Sequence, residues 1–402
     1  MRKLYIENFG PVKQADLELR DVNLFIGEQS VGKSTIAKLI TILTDYISLT
    51  KVVMGGYGIW IEQLKAYNID AYADDSYNIV YQLEEKKLVL RLEIWPKELK
   101  YTLTKNGRKL VRKKTISSEL ISLRGDTVKE SFLRDLKEEV QKWEATNFIE
   151  NFLNIMSNSL YIPAERIIYS VVSNLMPAFA LVKSAIPSNL LRFLVDLTNA
   201  KAKYPHYDIP MLGISYQRKN SDDFILVADS HKELPLSSAS SGIQSTLPLL
   251  LILQFAINNR DYSSYVIEEP ECNLFPEKQV DLLRLILRSL KTNHSTLTIT
   301  THSPYLLSAM NNYLFAGTLV EKYKDNIKDS VEQVLPAAYH LKPGECSVYS
   351  LGEAINGDGI YCKNLIDEQT GMIDYNSLDT ISATLSEEFE ALENTYIQMI
   401  HK

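Results

Sequence analysis

Gly27-Glu28-Gln29-Ser30-Val31-Gly32-Lys33-Ser34-Thr35 matches the pattern GxxxxGK followed by Ser or Thr without a mismatch. The apolar stretch Val22-Asn23-Leu24-Phe25-Ile26 runs into it, and Thr35-Ile36-Ala37-Lys38-Leu39-Ile40 leaves it with helical spacing. That strand–loop–helix context separates a phosphate-binding loop from a chance Gly-Lys-Ser turn. Glycines let backbone N–H groups curl around phosphate oxygens, and the helix N-terminus adds partial positive charge. Lys33 is then expected to reach the β- and γ-phosphates and the Ser34 hydroxyl to hold Mg²⁺. The stretch implies a nucleoside triphosphate ligand.

Three further segments narrow the choice. Tyr265-Val266-Ile267-Glu268-Glu269-Pro270-Glu271 reads as a short buried strand ending in acids. Of such a pair, the first acid belongs to the metal shell and the second polarises the attacking water, so Glu268 is assigned to the metal and Glu269 to the water. Leu297-Thr298-Ile299-Thr300-Thr301-His302-Ser303-Pro304 is another β-branched strand with a polar residue at its C-terminal end. Ligands of open α/β sheets gather at those ends, so His302 is expected at the γ-phosphate. Leu236-Ser237-Ser238-Ala239-Ser240-Ser241-Gly242-Ile243-Gln244-Ser245 precedes an apolar helical run. Serines there are helix-capping residues, and such a terminus favours anions.

A phosphate loop, a Ser-Gly-x-Gln signature, an acidic strand and a switch histidine, in that order, resemble an ABC-type ATPase head of the SMC/RecF/OLD branch. Leu4-Tyr5-Ile6-Glu7-Asn8-Phe9-Gly10-Pro11 is similar to the first strand and turn of that branch. Glu268-Glu269-Pro270-Glu271 with Leu274-Phe275-Pro276, Thr301-His302-Ser303-Pro304 and Tyr161-Ile162-Pro163-Ala164-Glu165-Arg166 are also of the kind seen there. The resemblance implies an α/β fold, a P-loop NTPase head of ABC type with an antiparallel β arm and an inserted helical lobe. It implies a composite site between two heads. One copy supplies Lys33, Ser34, Glu268, Glu269 and His302, and the other Ser241, Gly242 and Gln244. ATP and Mg²⁺ are the implied ligands, and a homodimer or higher homo-oligomer the implied assembly. Three positions depart from the family pattern: Glu268 stands where Asp is usual, Ile243 where a second glycine is, and Phe275 where a histidine is. These departures point to slow turnover.

The head is expected over residues 1–340, with a β-hairpin and helical insertion over 50–160 and a helical lobe over 165–206. A small extension follows over 341–402. Tyr77 to Ile94 alternates like strands, and Leu99 to Leu110 reads as a hairpin turning on Asn106-Gly107. Its basic cluster from Lys105 to Lys114 suits either a solvated tip or a nucleic-acid backbone. Lys129 to Leu160 reads as helix, Tyr313 to Val334 as mixed strand and loop, Glu345 to Leu351 as a strand, and Ser377 to Ile400 as an acidic helix.

The chain has 402 residues, 45% of them hydrophobic and 23% charged, with a formal charge of −7. That balance disfavours a uniformly basic nucleic-acid coat. Cys272, Cys346 and Cys362 are too few and too scattered for a metal site or disulfide framework, which suits a cytoplasmic protein. Met1-Arg2-Lys3 leads straight into strand-like residues, so no leader is expected. Ile167 to Pro187 is interrupted by Asn174, Pro177 and Lys183, so no membrane span is expected. The resemblance implies a switch controlling a separately encoded effector, a nuclease or toxin, in bacterial anti-phage defence. The alternative is a RecF/SMC-like DNA-binding ATPase of repair or maintenance. A transporter ATPase is disfavoured by the Glu-Glu-Pro-Glu run. No Asp-x-Asp pair follows Leu341, so no nuclease of its own is expected.

Overall fold

The computed structural model describes residues 1–85, 88–105, 108–114, 158–169, 187–220, 222–259, 262–291, 295–323, 327–357, 359–367, 369–373 and 389. The chain opens with β1 (Arg2–Phe9) and β2 (Val12–Leu19), paired antiparallel through the two-residue turn Gly10-Pro11. Leu4, Ile6 and Phe9 of β1 and Val12, Ala15 and Leu17 of β2 are buried, so one face packs inward and the other stays wetter. Gly10 takes the positive φ (57°) that such a turn needs.

β3 (Val22–Gly27) is buried over all but its first residue, as expected of a central parallel strand. It feeds the phosphate loop and α1 (Lys33–Thr44), and then α2 (Tyr46–Ala66). Asp45 joins the two helices: its carboxylate caps α2 through the Ser48 N–H at 2.9 Å and accepts the Ser159 N–H at 3.1 Å. Four strands, β4 (Asn78–Glu85), β5 (Leu88–Trp95), β6 (Glu98–Lys105) and β7 (Arg108–Lys114), then extend the first sheet in the order β2-β1-β4-β5-β6-β7. The antiparallel arm is therefore continuous with the N-terminal hairpin. The Asn106-Gly107 turn, nearly all of the Lys129–Leu160 segment, the middle of the 165–206 lobe and the Ser377–Ile400 segment lie outside the described residues. At the end of the Lys129–Leu160 segment, Ser159 and Leu160 are strand, not helix, because they join the central sheet.

That strand is β8 (Ser159–Ile162), and it is followed by α3 (Ser188–Lys203). A four-stranded antiparallel sheet of β9 (His206–Ile209), β10 (Ile214–Lys219), β11 (Asp222–Val227) and β12 (Glu233–Pro235) comes next. The buried Lys201–Asp223 ion pair (2.5 Å) ties it to α3, and the Tyr169 and Tyr216 hydroxyls bond the same carboxylate at 2.8 and 2.6 Å.

The rest of the chain is α4 (Ser241–Asn259), β13 (Ser264–Glu268), α5 (Pro276–Lys291), β14 (Thr296–Thr301), α6 (Pro304–Tyr323), α7 (Lys328–Val334), β15 (Cys346–Leu351), α8 (Glu353–Asn356) and β16 (Cys362–Asn364). Tyr313 to Val334 is thus helical for most of its length, not mixed strand and loop. The reason is spacing: Leu306, Leu307, Met310, Tyr313, Leu314 and Gly317 fall on one buried helical face. Among the described residues α4 is long and apolar enough to cross a membrane, yet most of it is buried in the core.

The central sheet has the order β16-β15-β3-β14-β13-β8, parallel except for β16 at its edge. The strand carrying His302 thus lies between the phosphate-loop strand and the acidic strand. One apolar core joins α1 and α2 to the arm, and a second joins the other face of the central sheet to α3–α6. The segment after Leu341 is more than an appendage, because β15 is fully buried and pairs with β3. The fold is α/β, a mostly parallel central sheet with the phosphate-loop strand inside it, joined to the expected antiparallel arm.

Candidate functional site

At the end of β3 the chain turns through Gly27 (φ 158°), Ser30 (φ 63°) and Gly32 (φ 91°), the last of them the N-cap of α1. A Cβ at Gly32 would meet the Val12 side chain at 2.8 Å and the Tyr361 hydroxyl at 3.0 Å, so only glycine suits both the conformation and the space. The Tyr361 hydroxyl donates to the Val31 carbonyl, which ties the back of the loop to the C-terminal segment. Lys33, 5% exposed, donates to the Gly27 and Glu28 carbonyls at 2.9 and 2.6 Å. Burial pushes its ammonium down to about 8, against the opposing pull of Glu269, Glu271 and Glu268.

The acidic turn folds back on the loop. Glu269 has φ 42°, a left-handed value that costs a non-glycine residue energy. Its Oε1 lies 3.1 Å from His302 Nε2, and its Oε2 accepts the Cys272 thiol at 3.2 Å. The His302 bond is the main cause holding this carboxyl at about 2, so it stays ionised at neutral pH. His302 Nδ1 is 3.4 Å from Lys33 Nζ. Glu269, His302 and Lys33 form one contiguous polar chain.

Glu268, 2% exposed, takes the Tyr161 hydroxyl at 2.8 Å, and the Ser34 hydroxyl and the Lys38 charge also favour its ionised form. Burial outweighs them and raises its pKa to about 7. A buried carboxylate beside a serine hydroxyl is a hard-oxygen pair of the kind that holds Mg²⁺ together with phosphates and water. Among the described residues no group of three or more His, Cys, Asp or Glu forms a metal cage. A Mg²⁺ bound largely by phosphate does not need one.

A cleft of about 540 Å³ opens on these groups, lined by Gln29, Ser30, Gly32, Lys33, Ser34 and Thr35 from the loop, with Glu269 and His302 opposite and Pro11 and Tyr72 completing the wall. Of the expected site residues, Gly27, Glu28, Val31 and the buried Glu268 do not line it, and neither do Ser241, Gly242 and Gln244. The last three begin α4, where the Ser240 hydroxyl accepts the Ile243 N–H at 3.5 Å and Gln244 Nε2 donates to the Ala239 carbonyl at 2.8 Å. Gly242 packs against the loop after the acidic turn, where a Cβ would meet the Asn273 carbonyl at 2.7 Å. Phe275, next along that loop, is 74% exposed.

Four contributors carried no role in the sequence reading. Arg166 is fully buried and donates to five carbonyls: Ser245 at 2.9 Å, Pro163 at 3.1 Å, Glu268 and Glu269 at 2.7 Å each, and Pro270 at 3.2 Å. It joins the first turns of α4 to the acidic turn and fixes the Glu269 backbone. Glu271 accepts the Thr301 hydroxyl at 2.5 Å and the His302 N–H at 2.9 Å, which orients the histidine. Tyr161 and Tyr361 hold Glu268 and the phosphate loop, as described. Only Arg166 had a usable signal, an arginine three residues past a proline-ended apolar strand.

The family model described as AAA ATPase domain matches residues 1–203 and 60–307. The chain belongs to this family. It is an AAA-type ATPase, and it binds nucleotide. Comparison with curated proteins gave no match. Among solved structures, the SMC head domain from Thermotoga maritima is 15% identical, covering 76% of this chain and 90% of that one at a TM-score of 0.38. A Smc head domain with an extended coiled coil bound to the C-terminal domain of ScpA, derived from Pyrococcus furiosus, is 12% identical. It covers 96% of this AAA ATPase and 99% of its own chain, with a TM-score of 0.40. An SmcHead bound to the C-winged helix domain of ScpA is also 12% identical, covering 90% and 96% at 0.43.

Proposed function

We propose that this chain is a Mg²⁺-dependent, slowly turning ATPase head that works in the cytoplasm, dimerises through composite ATP sites and switches a separate effector. The observation that carries the hydrolytic part is the contact chain Lys33–His302–Glu269, at 3.4 and 3.1 Å, on the wall of the cleft beside Ser34. Lys33 and the N–H groups of the Gly27–Thr35 loop hold the phosphates. Ser34 and Glu268 would hold Mg²⁺, which would supply neutralising charge to the phosphate oxygens. Glu269, kept ionised, orients water and accepts its proton, and His302 takes the γ-phosphate side.

Ser241, Gly242 and Gln244 stand away from the cleft of their own chain, which suits a helix N-terminus offered to the ATP of a second copy. Arg166 then links each copy's α4 to its own Glu269. An effector encoded separately, a nuclease or toxin of anti-phage defence, is supported by the sequence resemblance alone. The second reading, a RecF/SMC-like ATPase that grips DNA, is favoured by β7. It is the edge strand of the arm and carries Arg108, Lys109, Arg112, Lys113 and Lys114.

Steady-state hydrolysis by the full chain with Mg-ATP tests the assignment. Glu269→Gln is expected to lose at least about 100-fold in turnover while keeping ATP affinity, and Lys33→Ala to lose binding. Wild-type turnover in Glu269→Gln would overturn the role of Glu269.

A further inference from the structure

The loop, Glu269 and His302 account for the polar wall of the cleft and leave its two apolar members, Pro11 and Tyr72, unexplained. Pro11 has no donor for a phosphate, and Tyr72 offers one neutral hydroxyl and no charge. Tyr72 ends a short 3-10 turn (Asp70–Tyr72) that follows α2, far from the phosphate loop in sequence. Its ring is supported from behind. A Cβ at Gly10 would come within 2.4 Å of the ring, and Phe9, fully buried, meets it edge-on at 6.0 Å and 88°. Phe9 is itself braced by Tyr77 at 5.4 Å. Tyr72 nevertheless remains 37% exposed, and it lines the same cleft as Lys33 and Ser34.

A braced aromatic ring with a free surface, sharing a cleft with a phosphate loop, suits a ligand with a flat ring at one end and phosphates at the other. The geometry points to Tyr72 as the platform on which the purine base of the nucleotide stacks, with Pro11 covering the adjacent edge. This deepens the nucleotide reading and rests on it. Stacking on tyrosine is direct and needs no hydrogen-bond code, so it favours the larger purine surface over a pyrimidine.

The test is equilibrium binding of ATP, UTP and inorganic tripolyphosphate to the full chain with Mg²⁺. Unfolding without nucleotide checks that each variant is folded. Tyr72→Ala is expected to weaken ATP by about tenfold or more, to leave tripolyphosphate within about twofold, and to erase a wild-type preference for ATP over UTP. Tyr72→Phe keeps the stacking face and binds ATP as wild type does. Tyr72→Leu fills the space without that face and behaves like Tyr72→Ala, which covers the case in which alanine unfolds the turn. ATP binding unchanged in Tyr72→Ala and Tyr72→Leu would overturn the proposal. So would equal losses for ATP and tripolyphosphate, which would make Tyr72 a support for the loop. Lys33→Ala is expected to lose ATP and tripolyphosphate together. If it keeps both, the phosphate-loop reading itself fails and takes the proposal with it.

Discussion

Replacing Arg166 with methionine removes the charge and all five of its donors while keeping much of the side-chain length. The guanidinium is fully buried, and its acceptors are backbone carbonyls of Pro163 just after β8, of the acidic turn and of α4. Charged hydrogen bonds contribute roughly 1.5–3 kcal/mol each, but they are not additive. Burial also disfavours the cation and lowers its pKa. Removing one side of a buried charged network costs about 3–5 kcal/mol, and that is the loss expected for Arg166→Met. Arg166→Lys keeps the charge but has only three donors. At least two of the five carbonyls lose theirs, for an expected cost of about 2–3 kcal/mol. Urea denaturation measures both through the midpoint at constant slope. Hydrolysis by Arg166→Lys under folding conditions should fall more than ATP affinity does, because Arg166 holds the strained Glu269 backbone. A loss under about 1 kcal/mol in Arg166→Met, or wild-type turnover in Arg166→Lys, would refute this reasoning.

Three other outcomes follow from the site. Glu268 titrates at about 7 in the folded protein against a usual 4.5, so its contribution is full below pH 4.5 and is lost as pH rises through 7. Without nucleotide or Mg²⁺, Glu268→Gln should therefore exceed wild-type stability at pH 8 by up to about 3 kcal/mol and match it near pH 4, read by denaturation at both values. Gly242→Ala places a Cβ 2.7 Å from the Asn273 carbonyl and should cost about 1–3 kcal/mol in denaturation midpoint through overpacking. Tyr361→Phe removes the bond to the Val31 carbonyl and should weaken ATP severalfold in equilibrium binding, on the order of one hydrogen bond.

The parts of the site legible in the sequence share a local grammar. The loop Gly27–Thr35, the pair Glu268-Glu269 and His302 each follow directly on a buried strand, so strand pattern and polar ending announced them together. Arg166 answers to carbonyls, which any residue supplies, and some of them lie about a hundred positions away, so its pairing leaves no residue-type signature. Tyr361 reaches the phosphate loop across 330 positions. The strand character of Cys346–Leu351 was visible, but its place beside β3 was not, because parallel pairing leaves no local turn to read. The helix spanning Pro304–Tyr323 was misread past Tyr313 because exposed Phe315 and Tyr323 blur its apolar stripe.

The most direct test of the switch is the solution molar mass of wild type, Glu269→Gln and Lys33→Ala, with and without Mg-ATP. ATP held between two copies stabilises assembly because it contacts both. Mg-ATP should at least double the mass of Glu269→Gln, act weakly or transiently on wild type, and leave Lys33→Ala unchanged. A mass of Glu269→Gln that ignores Mg-ATP would contradict assembly through shared ATP and remove the role given to Ser241, Gly242 and Gln244.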